Sequence, residues 1–146
     1  MLHPAPTSVI SPTLARGVLE AVTPESAGHP AFVTVSFPNT SYEVHLRPVG
    51  QVGGAIGKRI VGVIRADARR VDIVDTGGKY VEPVFGRPRR VQGRVVGRVE
   101  GTNSIVVDAG FPIHLRLTDA RQRAADFPLG ELVSTDVMDG ATISVG

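Results

Sequence analysis

The chain has 146 residues, 42% apolar and 21% charged, with a formal net charge of +2 and neither cysteine nor tryptophan. That length holds one ordinary domain or two very small ones, and the missing cysteine excludes a disulfide framework, thiolate-bound metals and a cysteine nucleophile. Apolar runs such as Ile105-Val106-Val107 fall far short of the roughly 20 residues of a membrane helix. Met1 to Pro12 lacks the basic start of a secretory signal, so the expectation is a cytoplasmic protein without membrane contact and with a loose arm over residues 1–13.

In chain order, short apolar-polar alternations rich in valine, isoleucine and threonine predict strands at 16–22, 32–37, 42–47, 59–66 and 70–75. Val33, Val35 and Phe37 share one face of the second strand; Tyr42, Val44 and Leu46 share one face of the third and leave Glu43, His45 and Arg47 on the other. A glycine- and proline-rich connector follows over 76–90. Further strands are predicted near 91–100, 104–109, 112–117, 131–137 and 141–145. Between the strands near 112–117 and 131–137, Thr118-Asp119-Ala120 opens a run of helix formers to Phe127, which predicts a short helix. The fold class is all-β.

The two halves repeat an order. Val44-His45-Leu46-Arg47 matches Ile113-His114-Leu115-Arg116, and a glycine-marked first strand precedes each, beginning at Gly17 or Gly93. Gly57-Lys58-Arg59-Ile60-Val61 and Gly130-Glu131-Leu132-Val133 then lead into the closing strands. This predicts an internal duplication: a barrel over 14–75 and a second over 91–146, the latter with the helix. Five strands with a connector between the third and fourth resemble the OB-fold, a small Greek-key barrel. The first half departs from it, holding Gly50, Gly53, Gly54 and Gly57 where a helix would stand. The resemblance implies a ligand surface centred on the second and third strands, hence on His45, Arg47, His114 and Arg116, with Phe32 the one outward aromatic of the second strands.

Charge is uneven along the chain, with net values of +2 over 1–74, +4 over 75–99 and −4 over 100–146. The connector gathers Lys79, Arg87, Arg89 and Arg90 beside the rings of Tyr80 and Phe85, the combination of cations and stacking surfaces that a single-strand binder uses. Alternatively, those cations meet Asp108, Asp119, Asp126 and Asp136 of the acidic second half. Arg94 and Arg98 share a strand face that extends the basic surface.

Other motifs carry less chemistry. Asp75-Thr76-Gly77 and Asp108-Ala109-Gly110 look like aspartic-protease signatures, but no flap strand or hydrophobic brace accompanies them and they suit strand-ending turns. Gly53-Gly54-Ala55-Ile56-Gly57-Lys58-Arg59 is too short between its outer glycines for a phosphate loop and lacks its Ser or Thr. Ser26 and His29 sit in a turn. The expectation is therefore a non-enzymatic protein, without metal or cofactor, that binds single-stranded RNA or DNA weakly through the connector and third-strand faces. The alternative is an assembly protein that self-associates as a homo-oligomer through its barrel surfaces.

Overall fold

In the computed structural model, residues 11–52 and 55–145 are described. Their backbone is built from β-branched residues alternating with polar ones, and strands dominate it. In chain order these are β1 (Ala15–Thr23), β2 (Phe32–Ser36), β3 (Glu43–Pro48), β4 (Arg59–Ile73), β5 (Tyr80–Glu82), β6 (Phe85–Gly86), β7 (Arg90–Val99), β8 (Ser104–Asp108), β9 (Pro112–Leu117), β10 (Leu132–Val137) and β11 (Thr142–Val145). The protein is all-β, as its alternation predicts.

The predicted helix within 118–127 does not form; only a 3-10 turn at Ala124–Asp126 does. Local and long-range hydrogen bonds take the polar groups a helix would need. Asp119 accepts from the Arg121 backbone N–H and guanidinium at 2.9–3.1 Å. Gln122 reaches β4 and pairs with both backbone groups of Val71, at 2.9 and 2.7 Å, in the manner of a strand neighbour.

The strands form one mixed sheet in the order β1-β2-β3-β11-β4-β10-β7-β8-β9, and β1 pairs additionally with β4, as does β9. Three pairings are parallel: β3 with β11, β4 with β9, and β3 with the short β6. The strands are hydrogen-bonded into this one sheet, where the sequence led to an expectation of two separate barrels. The cause is β4, which runs unbroken through two predicted strands because neither glycine nor proline interrupts it after Gly62. Ile60, Ile64, Ala66 and Ala68 alternate inward along it, and the phase slips at Arg69 and Arg70, where its register with β10 shifts. Its first part pairs with β1 and β11, its last with β10 and, midway, β9. Strands from both ends of the chain thus converge on it.

Two glycines sit where neighbouring strands approach closely. A Cβ at Gly17 would lie 2.6 Å from the Ser36 carbonyl oxygen, and one at Gly93 would strike the Asp108 carbonyl, the last residue of the neighbouring strand in each case. Only glycine lets strands approach so closely. Both pairs then change register over the same interval, between Leu19 and Ala21 in β1 and between Val95 and Gly97 in β7.

The core is a continuous aliphatic cluster that includes Leu19, Leu46, Ile64, Ile105, Ile113, Leu115 and Ile143. Phe37 and Phe111 stack across it with centroids 4.1 Å apart, and Tyr42 meets Phe111 edge-on. The Tyr42 hydroxyl accepts the Val81 N–H at 3.0 Å. The connector is therefore pinned down: β5 pairs with β7 and β6 with β3. At three and two residues, β5 and β6 are too short to show a period in sequence.

Candidate functional site

The outer side of β2 and β3 carries the most distinctive surface. Alternation sends Val33, Val35, Val44 and Leu46 into the core and turns Phe32, His45 and Arg47 outward. Register places His45 opposite Thr34, and its ring stacks on Phe32 at 4.4 Å. β6 then lays Phe85 against the other side of His45, edge-on at 4.9 Å. Phe85 itself is 62% exposed. Burial between these rings lowers the His45 pKa below its usual 6.5, partly offset by the nearby Glu43 carboxylate.

Beside the rings lies a groove of about 560 Å³, bounded by the β1–β2 loop with His29, by Phe32, His45 and Arg47, and by Arg87 and Asp139. Arg47 and Arg87 donate to the same oxygen, Asp139 Oδ2, at 3.5 and 3.0 Å. Asp139 stands in the turn between β10 and β11, with Gly140 behind it at φ 108°, a backbone shape reserved for glycine.

The sequence candidates divide on this surface. His45, Arg47, Phe85 and Arg87 come together there. Lys79 instead bonds Asp108 at 2.9 Å. Arg90 is enclosed in a network, donating to Asp136 Oδ1 at 2.7 Å, Ser134 Oγ at 2.8 Å and the Tyr80 hydroxyl at 3.4 Å. Those hydrogen bonds, led by Tyr80 and then Asp136, raise its pKa further, and the pair occupies Tyr80 as well. Arg89 is exposed; its backbone holds Glu82 and Val137. Arg94 donates to the Gly130 carbonyl at 2.9 Å. Two of the aspartates weighed as partners, Asp108 and Asp136, hold connector cations.

The corresponding face of β8 and β9 is built differently. His114 lies opposite Val106, and its Nε2 is 2.9 Å from the Thr13 carbonyl oxygen. Burial lowers its pKa, the Thr13 contact opposes this and Arg65 adds to it. Arg116 grips Asp67 with two bonds of 2.8 and 2.9 Å, a fork-to-carboxylate pair that holds the Asp67 carboxyl below its usual range. A smaller groove of about 410 Å³ adjoins it and shares Asp139 and Gly140 with the first.

Among the remaining motifs, Asp75 is exposed and Asp108 Oδ1 accepts the Gly110 N–H at 3.0 Å, a turn-closing bond. Ser26 and His29 meet through their backbones, at 3.1 and 2.9 Å. Gly53 and Gly54, and most of the expected N-terminal arm, lie outside the described residues. Gly57 is in a turn whose backbone bonds Leu19 of β1. Among the described residues, no three His, Asp or Glu side chains gather as a metal site, and no helix is long and apolar enough to cross a membrane.

Sequence reasoning weighed His29 only as a turn residue and missed Asp139. The Asp139-Gly140 pair was legible as a turn, but nothing local links it to Arg47, 92 residues away. Comparison with protein-family models, curated proteins and solved structures finds no match to this chain.

Proposed function

We propose that the chain is a non-enzymatic binding module made of two OB-like barrels, descended from one duplicated unit, and that it holds single-stranded nucleic acid weakly on the β2–β3–β6 face. The observation that carries the ligand reading is the exposed Phe85 ring, packed on His45 and Phe32 next to two guanidinium groups. Rings offer bases a stacking surface, and arginines meet the phosphates between them.

Support for the barrels comes from pairing order. One circuit runs β1-β2-β3-β11-β4 and returns to β1; the other runs β7-β8-β9-β4-β10 and returns to β7. Each is a meander of three, then a parallel neighbour, then an antiparallel one. On this reading the two units exchange their fifth strands, since β11 completes the first circuit and the later part of β4 the second. The matched glycines and register shifts of β1 and β7 agree with duplication. In OB-like barrels, ligands lie across strands 2 and 3 between the loops that follow strands 1 and 4. The groove beside Phe32 and His45 occupies that place, with Asp139 on the loop leading into the fifth strand.

The test is fluorescence anisotropy of labelled single-stranded RNA and DNA at low and physiological salt. Binding should weaken steeply with salt, and Phe85→Ala should weaken it about five- to a hundredfold, since stacking is worth about 1–3 kcal/mol per base. Absence of binding at low salt removes the reading. In that case the assembly alternative stands. Its support is that Lys79, Arg87, Arg90 and Arg116 are each engaged by an aspartate of the same chain, while Val22, Ile56, Ile73 and Leu129 are apolar and exposed. An oligomer that persists at moderate salt in sedimentation and ignores nucleic acid fits that alternative.

A further inference from the structure

We propose that Arg47 and Arg87 form a subsite for a phosphate group, and that Asp139 fills it in the free protein as an intrachain competitor. The inference rests on the binding reading above and deepens it by naming the group recognised and the residue that masks it.

The two arginines come from separate elements. Arg47 stands two residues after His45 on β3, and Arg87 two residues after Phe85, just past β6; β3 and β6 are parallel neighbours, with Glu43 beside Phe85 and Val44 beside Gly86. His45 and Phe85 are thus each followed two residues on by an arginine, and the pairing of β3 with β6 brings the two segments side by side. A ring and a guanidinium group come from each segment.

Between the cations sits one carboxylate. Both guanidinium groups address Asp139 Oδ2, at 3.5 and 3.0 Å, so two positive charges share one negative charge and, among the described residues, most of their donors stay unused. The longer distance shows that Arg47 is not seated on Asp139 as Arg116 is on Asp67, where both carboxylate oxygens are taken at 2.8 and 2.9 Å. The three side chains are 44%, 58% and 51% exposed, a setting in which ion pairs are screened and contribute little. A phosphate presents several oxygens to the same forks and matches their geometry better than one carboxylate oxygen does. The arrangement is a preformed anion site held by a weak internal occupant.

Asp139 reaches the site because Gly140 gives the turn its left-handed shape; the Arg47 guanidinium lies 3.6 Å from where a Cβ on Gly140 would be. The turn is also the wall between the two grooves. Displacing Asp139 frees the cations and clears the rim they share.

The experiment compares wild type with Asp139→Asn, which keeps size and turn but removes the charge. Inorganic phosphate is titrated while the arginine Nε–Hε signals are followed by NMR, and a short labelled oligodeoxythymidine is titrated in parallel by anisotropy. Circular dichroism checks that the variant is folded. Phosphate should bind the variant about five- to tenfold more tightly, and Arg87→Ala added to Asp139→Asn should abolish the gain. Equal phosphate affinity in wild type and Asp139→Asn overturns the subsite, whatever the oligonucleotide does. A phosphate gain without any oligonucleotide binding upholds the subsite and instead removes the nucleic-acid reading.

Discussion

The faces of β2–β3 and β8–β9 begin from the same four-residue pattern and end with different surfaces. His45-Leu46-Arg47 and His114-Leu115-Arg116 each bury their leucine and turn histidine and arginine outward. What separates them is the company that other segments bring. On the first face, His45 packs between Phe32 and Phe85 and Arg47 shares a carboxylate with Arg87. On the second, Thr13 crosses to His114 and Asp67 closes on Arg116. A repeated motif therefore sets side-chain direction, while neighbours distant in sequence decide whether the surface stays open to a ligand.

The severest way to break the contrast is to remove what frames the first face from the other end of the chain. Ile143 of β11 is fully buried against the core and pairs beside Pro48 of β3. Ile143→Ala should cost about 2–5 kcal/mol in urea unfolding, and amide exchange should rise along β3 before β9. Equal loosening of β3 and β9 would show that the two faces do not have separate supports.

Next come the close glycine contacts found on both faces. Gly17→Ala and Gly93→Ala each drive a Cβ into a strand carbonyl, and each should cost about 1–3 kcal/mol. A large cost at one position with none at the other would count against the proposed duplication that pairs β1 with β7.

The functional contrast is sharpened by paired substitutions on the two faces. Phe85→Ala should reduce affinity for a single strand about five- to a hundredfold, whereas His114→Gln should leave it within about twofold because that ring faces Thr13 rather than the first groove. A loss on the second face as large as on the first would extend the ligand path over both grooves.

Acid provides the smallest effect. Burial keeps both histidines below their ordinary pKa of 6.5 in the folded protein. In unfolded chain they protonate first as pH falls, so the stability their neutral forms contribute is complete above about 6.5 and is lost as pH drops through the folded values. Urea unfolding from about pH 7.5 to about 5 should show a decline that flattens in His114→Gln. His45→Gln should flatten it too, with the Glu43 carboxylate limiting that effect.

Much of the architecture was legible before any coordinates. Nine of the eleven strands among the described residues fall where alternation put ten, because pleated, half-buried backbone demands a period of two and the sequence keeps it. The direction of each candidate side chain on β3 and β9 follows from the same rule. Within a window of a few residues, sterics and burial act locally, and so local pattern suffices to read them.

The remainder depends on partners far along the chain. Continuity of β4 is local, since no glycine or proline follows Gly62 within it, but which strands flank it, including β11 from the C-terminal end of the chain, is not. Whether Arg90 is a free cation or a structural one depends on Asp136 and Ser134, 46 and 44 residues away. The predicted helix near Ala120 was lost to a strand-like contact between Gln122 and Val71. Composition and periodicity determined that this chain would be all-β, with its rings and cations outward on the third strands. Only tertiary structure decided which carboxylate each of those cations meets and which ring stands beside it, because pairing energy between charges and between strand edges depends on distance in space, which sequence separation does not record.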